Sequence, residues 1–208
     1  SDAAVYRGGG RMNEAGEIGG RTREGMEASI LQTALLGAAR GLMGDAVRTM
    51  LVRHAPVLGE DCAAWCDALL EGRTIRVRHP AVRGVFVHPL DVVCCGLTLG
   101  ARAFRCGEGG VYNIGTDERS IGTRQSAARR LAMRHGGAGT AQEETEDGEP
   151  PAQLLDGSAA RRLCGAACRL DVDQALDLLF EQRRAARAGQ EEAAIRRMTR
   201  TYLEGCRA

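Results

Sequence analysis

The chain has 208 residues, of which 44% are hydrophobic but only 3% aromatic, and a formal net charge of +1. That is enough apolar material for a single core built from Ala, Leu, Val, Ile, Met and Cys. No apolar run approaches the roughly 20 residues that cross a bilayer, and no signal-peptide order opens the chain.

Every basic side chain apart from four histidines is arginine. With the abundant Ala and Gly, this composition reads as the codon bias of a GC-rich genome, and a GC-rich DNA virus is the expected source. Ser1 in place of an initiating Met suggests an excised or processed chain. The eight cysteines fit no small secreted disulfide framework, so reduced thiols and an intracellular location, host nucleus or cytoplasm, are expected. Charge is segregated along the chain: residues 73–135 carry eleven arginines against four acidic residues, whereas residues 136–160 carry six acidic residues and no arginine.

In chain order, residues 1–25 read as a flexible Gly-rich arm, and residues 26–208 as a single α+β domain. From Met26 to about His54 the apolar spacing predicts a helix or helix pair, and residues 60–70 a shorter helix with Glu60 and Asp61 at its positive end. Residues 74–114 alternate and carry turn signals, so they predict a small, mostly antiparallel sheet flanked by the N-terminal and C-terminal helices. In that reading Val92 to Leu99 is a buried central strand. Thr116 is the expected cap of a helix running to about His135. Residues 136–157 form an acidic loop, expected to be disordered. Beyond it come a short helix from Ser158, a longer one capped by Asp171 or Asp173, and a last helix after Gly189.

The helical spacing of Arg119, Thr123, Ser126, Arg130 and Arg134 places them on one face, where guanidinium and hydroxyl donors would meet phosphate oxygens. Arg76, Arg78, Arg83, Arg102 and Arg105 extend this basic surface. The expected function is therefore a non-enzymatic, arginine-rich nucleic-acid-binding regulatory or packaging protein. Two alternatives stand beside it: a protein-interaction or virion-assembly module that oligomerises through its helices, and a Cys/His enzyme. Beside nucleic acid, a protein partner or homo-oligomer is expected.

Cys62 and Cys66 lie four apart on one helix face and could offer two sulfurs to a metal, with His79, His88, Cys94, Cys95 and Cys106 as further ligands. Zinc is the ion such a set could hold; no other cofactor is expected. Packing as small buried hydrophobes is the competing role for these thiols.

Overall fold

A computed structural model describes residues 10–12, 23–43, 50–54, 57–106, 109–115, 118–136, 139–143, 153–165 and 168–205. Most of the expected N-terminal arm, and residues 144–152 of the expected acidic loop, lie outside the described residues. Helix α1 (Arg23–Met43) ends before the stretch Met50-Leu51-Val52, which forms strand β2 (Met50–His54) rather than continuing the helix to His54. Helix α2 (Glu60–Leu70) is followed by β3 (Ile75–Arg78) and β4 (Arg83–Val85). In β3 the two-residue period is complete: Ile75 and Val77 are fully buried while Arg76 and Arg78 face outward.

The expected antiparallel sheet over residues 74–114 is not what forms. Residues expected as its central strands are helix α3 (Pro89–Cys106). A proline at the first helical position, with Asp91 in the first turn, is a helix start. Asp91, Cys95, Leu99 and Ala103 recur every four residues as the buried face. The last expected strand of the region, β5 (Gly110–Ile114), pairs in parallel with β2, with Met50 opposite Gly110 and His54 opposite Ile114. Strand β3 pairs in parallel with β7 (Thr140–Glu143), and β1 (Gly10–Met12) with β8 (Gln153–Leu155). Of the four strand pairs described, β4 with β6 (Ile121–Thr123) is the antiparallel one. Parallel partners need long crossovers, and here helices supply them.

The remaining helices are α4 (Arg124–Arg134), α5 (Ser158–Cys164), α6 (Val172–Arg187) and α7 (Glu191–Gly205). Of the two expected caps, Asp171 and Asp173, it is Asp171 that caps α6, through a reciprocal pair with Gln174. One core joins α2, β3, α4 and α6 through Trp65, Ile75, Val77, Leu131, Leu176 and Phe180. A second, smaller one gathers Val87, Cys95, Ile114 and Cys168. No described helix is long and apolar enough to cross a membrane.

Two glycines mark a crossing of backbones. A Cβ on Gly115, just past β5, would collide with the Gly157 backbone and reach within 2.9 Å of the Leu155 carbonyl; a Cβ on Gly157 would strike Gly115 in return. Only glycine lets these segments touch. Gly37, inside α1, has nothing within 4 Å of an added Cβ. In denaturant titrations, Gly115→Ala is expected to lose about 2 kcal/mol or more, because backbone must move, whereas Gly37→Ala gains roughly 0.5–1 kcal/mol from helix propensity. Equal effects of the two substitutions would contradict the crossing.

Candidate functional site

The exposed face of α2 and the outer edge of β3 enclose a groove of about 510 Å³. Its two walls follow from local periodicity. On α2, Glu60, Ala64, Asp67 and Glu71 recur at intervals of four, three and four, so three carboxylates share the solvent face while Cys62, Trp65, Cys66 and Leu69 turn to the core. On β3, Arg76 and Arg78 alternate with the buried Ile75 and Val77, and Arg73 and Thr74 precede them. The Trp65 indole N–H donates to the Arg76 carbonyl over 3.1 Å, fixing strand against helix. Asp61 completes the acidic wall.

Cations from other helices set the protonation state of that wall. Arg183 of α6 donates two hydrogen bonds to Asp67, one of them from Nε at 3.1 Å. Those bonds hold the Asp67 carboxyl below the usual range. Arg187 reaches Glu71 at 2.6 Å, and with Arg73 it lowers the Glu71 carboxyl likewise. Arg124 stands 3.5 Å from Asp61. Asp67 and Glu71 are therefore ionised acceptors at neutral pH and poor proton donors. The groove offers guanidinium donors on one side and carboxylate acceptors on the other.

A second polar cluster lies under α3. The Asp91 carboxylate is fully buried and accepts from the Arg169 amide at 2.9 Å, the Leu170 amide at 3.2 Å and the Tyr202 hydroxyl. Burial raises its pKa and these donors pull it back; the Tyr202 hydroxyl is pushed up by burial and then by Asp91. His88 is 2% exposed; its Nδ1 accepts from the Leu90 amide at 3.1 Å, which puts the proton of the neutral ring on Nε2. That Nε2 is buried without a hydrogen-bond partner.

The residues predicted to contact nucleic acid are divided among several elements, and the β4–β6 pairing sets Arg83 opposite Thr123. Arg119 sits in a 3-10 turn (Glu118–Ser120), and α4 begins after Thr123, not after Thr116. Thr123 is the cap, its hydroxyl accepting from the Ser126 amide at 3.1 Å. The first-turn amides of Arg124 and Gln125 donate to the Val82 and Pro80 carbonyls, so this helix end has no donors left for phosphate. Arg130 and Arg134 pair with Asp173 and Asp177 of α6. Arg76 and Arg78 line the α2–β3 groove, Arg102 and Arg105 a separate cleft between α3 and α5, and Arg83 opens β4.

The metal set disperses as well. Among the described residues no three Cys, His, Asp or Glu side chains are grouped to hold an ion. Cys62 and Cys66 belong to the first core, and burial pushes both thiols up to about 12, the behaviour of inert packing residues. Cys95 is in the second core, Cys94 is half-buried, Cys106 is exposed, and His79 lies at the end of β3 with φ 47°. The carboxylates of α2 and the facing Arg73 were missed at the sequence level, although the spacing of Glu60, Asp67 and Glu71 carries that signal.

No known protein family matches the sequence, and no curated protein does. The fold has solved counterparts. UDP-glucose 4-epimerase from Bifidobacterium longum, in complex with NAD+ and UDP, superposes with a TM-score of 0.72 at 15% identity, covering 92% of this chain and 63% of that one. UDP-glucose 4-epimerase from Thermotoga maritima, with UDP-glucose, gives 0.71 at 19% identity over 87% and 60%. dTDP-glucose 4,6-dehydratase from Bacillus anthracis, in complex with NAD, gives 0.69 at 15% identity over 86% and 58%.

The chain thus has the Rossmann-like fold of NAD-dependent sugar-nucleotide epimerases and dehydratases. It spans about three fifths of the length of these counterparts. This likeness overturns the small antiparallel α+β fold. It also stands against the expected viral nucleic-acid-binding or assembly protein and against the expectation of no cofactor beyond a possible zinc, since the counterparts are sugar-nucleotide enzymes and two of them were crystallised with NAD. The residues present do not fit that dinucleotide, however. A glycine-rich G-x-G-x-x-G turn is what brings a backbone up to the pyrophosphate, and none of the 28 glycines of this chain stands in that pattern.

Protonating His88 requires Nδ1 to give up the Leu90 amide and a charge to enter the core, and burial lowers its pKa to about 4 from 6.5. A depressed folded value means that the unfolded chain binds the extra proton first. Stability from this group is full above pH 6.5 and is lost as pH falls toward 4, by about 3 kcal/mol in total. Denaturation midpoints measured across that window are expected to fall for the wild type and to fall less for His88→Asn, whose carbonyl can still accept from Leu90. Identical profiles would remove His88 as the source.

Proposed function

We propose that the protein binds a nucleoside diphosphate sugar in the α2–β3 groove, as the substrate-holding part of a sugar-nucleotide-modifying Rossmann-like enzyme. The observation that carries this reading is the pairing of opposite walls. Arg73, Arg76 and Arg78 face Glu60, Asp61, Asp67 and Glu71 across about 510 Å³, within the usual range for a small-molecule site. A sugar nucleotide has the matching polarity: a diphosphate suited to bidentate guanidinium donors, and a ring of hydroxyl donors suited to ionised carboxylates. The solved counterparts crystallised with UDP or UDP-glucose support the choice of ligand class. The groove's own ion pairs are exposed and screened by solvent, and a ligand can exchange with them.

Isothermal titration of the purified chain with UDP-glucose and with UDP is the test. UDP-glucose is expected to bind more tightly than UDP. Arg76→Ala with Arg78→Ala weakens both at least tenfold, about 1.4 kcal/mol, and Glu60→Gln weakens UDP-glucose alone. Because these side chains face solvent, circular dichroism is expected to be unchanged. Binding that ignores the arginine double variant would overturn the site.

The partner we infer is a second copy of the chain, from the way α1 is turned. Among its described side chains the buried ones are the polar Ser29 and Gln32, while Met26, Ile30, Leu31, Leu35 and Leu42 are exposed, Leu42 by 86%. An outward apolar face of this extent marks an interface on a soluble surface. Ile30→Glu with Leu35→Glu is expected to shift the mass seen by light scattering from oligomer to monomer; a monomeric wild type at micromolar concentration would contradict it.

A further inference from the structure

The last turns of α3 and α5 flank a second cleft, of about 690 Å³, lined by Arg102, Arg105 and Arg162 together with Thr98 and Leu163. Thr98, Arg102 and Arg105 follow one another by four and three residues, so they share a face of α3, and α5 packs beside that helix to bring Arg162 across from them.

Among the described residues, no acidic one lines the cleft. This sets it apart from the basic clusters elsewhere: Arg130 and Arg134 meet Asp173 and Asp177, and Arg183 and Arg187 meet Asp67 and Glu71. Among the described residues, Arg102, Arg105 and Arg162 meet no carboxylate.

The local charge can be balanced. Two helix C-termini end here, α3 at Cys106 and α5 at the left-handed Gly165, and their dipoles together supply roughly one negative charge. Three guanidinium groups supply three positive ones. A surplus of about two positive charges remains, in a concave site large enough for a small organic molecule. The Thr98 hydroxyl donates to the Cys94 carbonyl at 2.8 Å, so its proton is committed and the arginines alone do the anchoring.

We propose that this cleft binds a small organic phosphate, a phosphomonoester dianion carried on a sugar-sized body. The guanidinium groups of Arg102 and Arg105 from one wall and Arg162 from the other close on the phosphate, and Leu163 borders the carrier. The site is built from α3 and α5, whereas the sugar-nucleotide groove is built from α2 and β3, so either can be lost without the other.

The test titrates the full chain with glucose 6-phosphate, inorganic phosphate and glucose at constant ionic strength, reading the arginine Nε–H resonances by NMR. Saturable shifts are expected with glucose 6-phosphate, weaker ones with inorganic phosphate and none with glucose. The triple variant Arg102→Gln, Arg105→Gln, Arg162→Gln loses at least tenfold in affinity for glucose 6-phosphate and keeps its UDP-glucose affinity. A control triple on α7, Arg196→Gln, Arg197→Gln, Arg200→Gln, binds as the wild type does. Should the first triple fail to fold, Arg162→Gln alone is expected to weaken binding about threefold or more. Unchanged affinity in the cleft variants, or equal loss in the α7 control, would overturn the site. Inorganic phosphate bound as tightly as the ester would overturn the organic carrier.

Discussion

The buried carboxylate of Asp91 is the constraint on which the arrangement of the C-terminal half depends. An ionised carboxylate with no exposure costs several kcal/mol unless its lone pairs are met. Here they are met by the amides of Arg169 and Leu170 and by the hydroxyl of Tyr202. Those partners belong to the segment just before α6 and to α7. The next residue, Asp171, caps α6. Asp91 therefore fixes where α6 starts, and with it the line along which Arg183 and Arg187 reach the α2 carboxylates.

This chain of contacts gives the groove its chemistry. Without α6 in place, Asp67 would lose both guanidinium partners that lower it, and Glu71 would keep Arg73 alone. With it, they are held ionised and pre-placed as acceptors, while the arginines of β3 remain on the other wall. The same helix takes Arg130 and Arg134 out of circulation through Asp173 and Asp177. One element thus both shapes a candidate sugar-nucleotide site and neutralises the basic stripe that had pointed to nucleic acid.

The sequence made local features legible and concealed distant ones. The alternation of Ile75, Arg76, Val77 and Arg78 and the acidic start of α2 are short-range patterns that read directly, and the cap of α6 narrows to Asp171 or Asp173 in the same way. α3 was misread because a continuous apolar run from Val92 to Leu99 carries no period of its own; Pro89 and Asp91 were the cues that decide it. The parallel pairings join β2 with β5 and β3 with β7 across some 60 residues, a distance at which alternation says nothing about partners. The arginine stripe failed for a similar reason. Its register slipped when Thr123 took the cap, and its counter-ions lie 43 residues further on.

The central claim is that α2 and β3 hold a sugar nucleotide, and photolabelling tests it most directly. A photoreactive uridine analogue of UDP-glucose, irradiated with the chain and mapped by peptide mass spectrometry, should place its adducts within residues 60–78 and lose them when unlabelled UDP-glucose is added in excess. Adducts confined to other segments, or insensitive to that competition, would contradict the account.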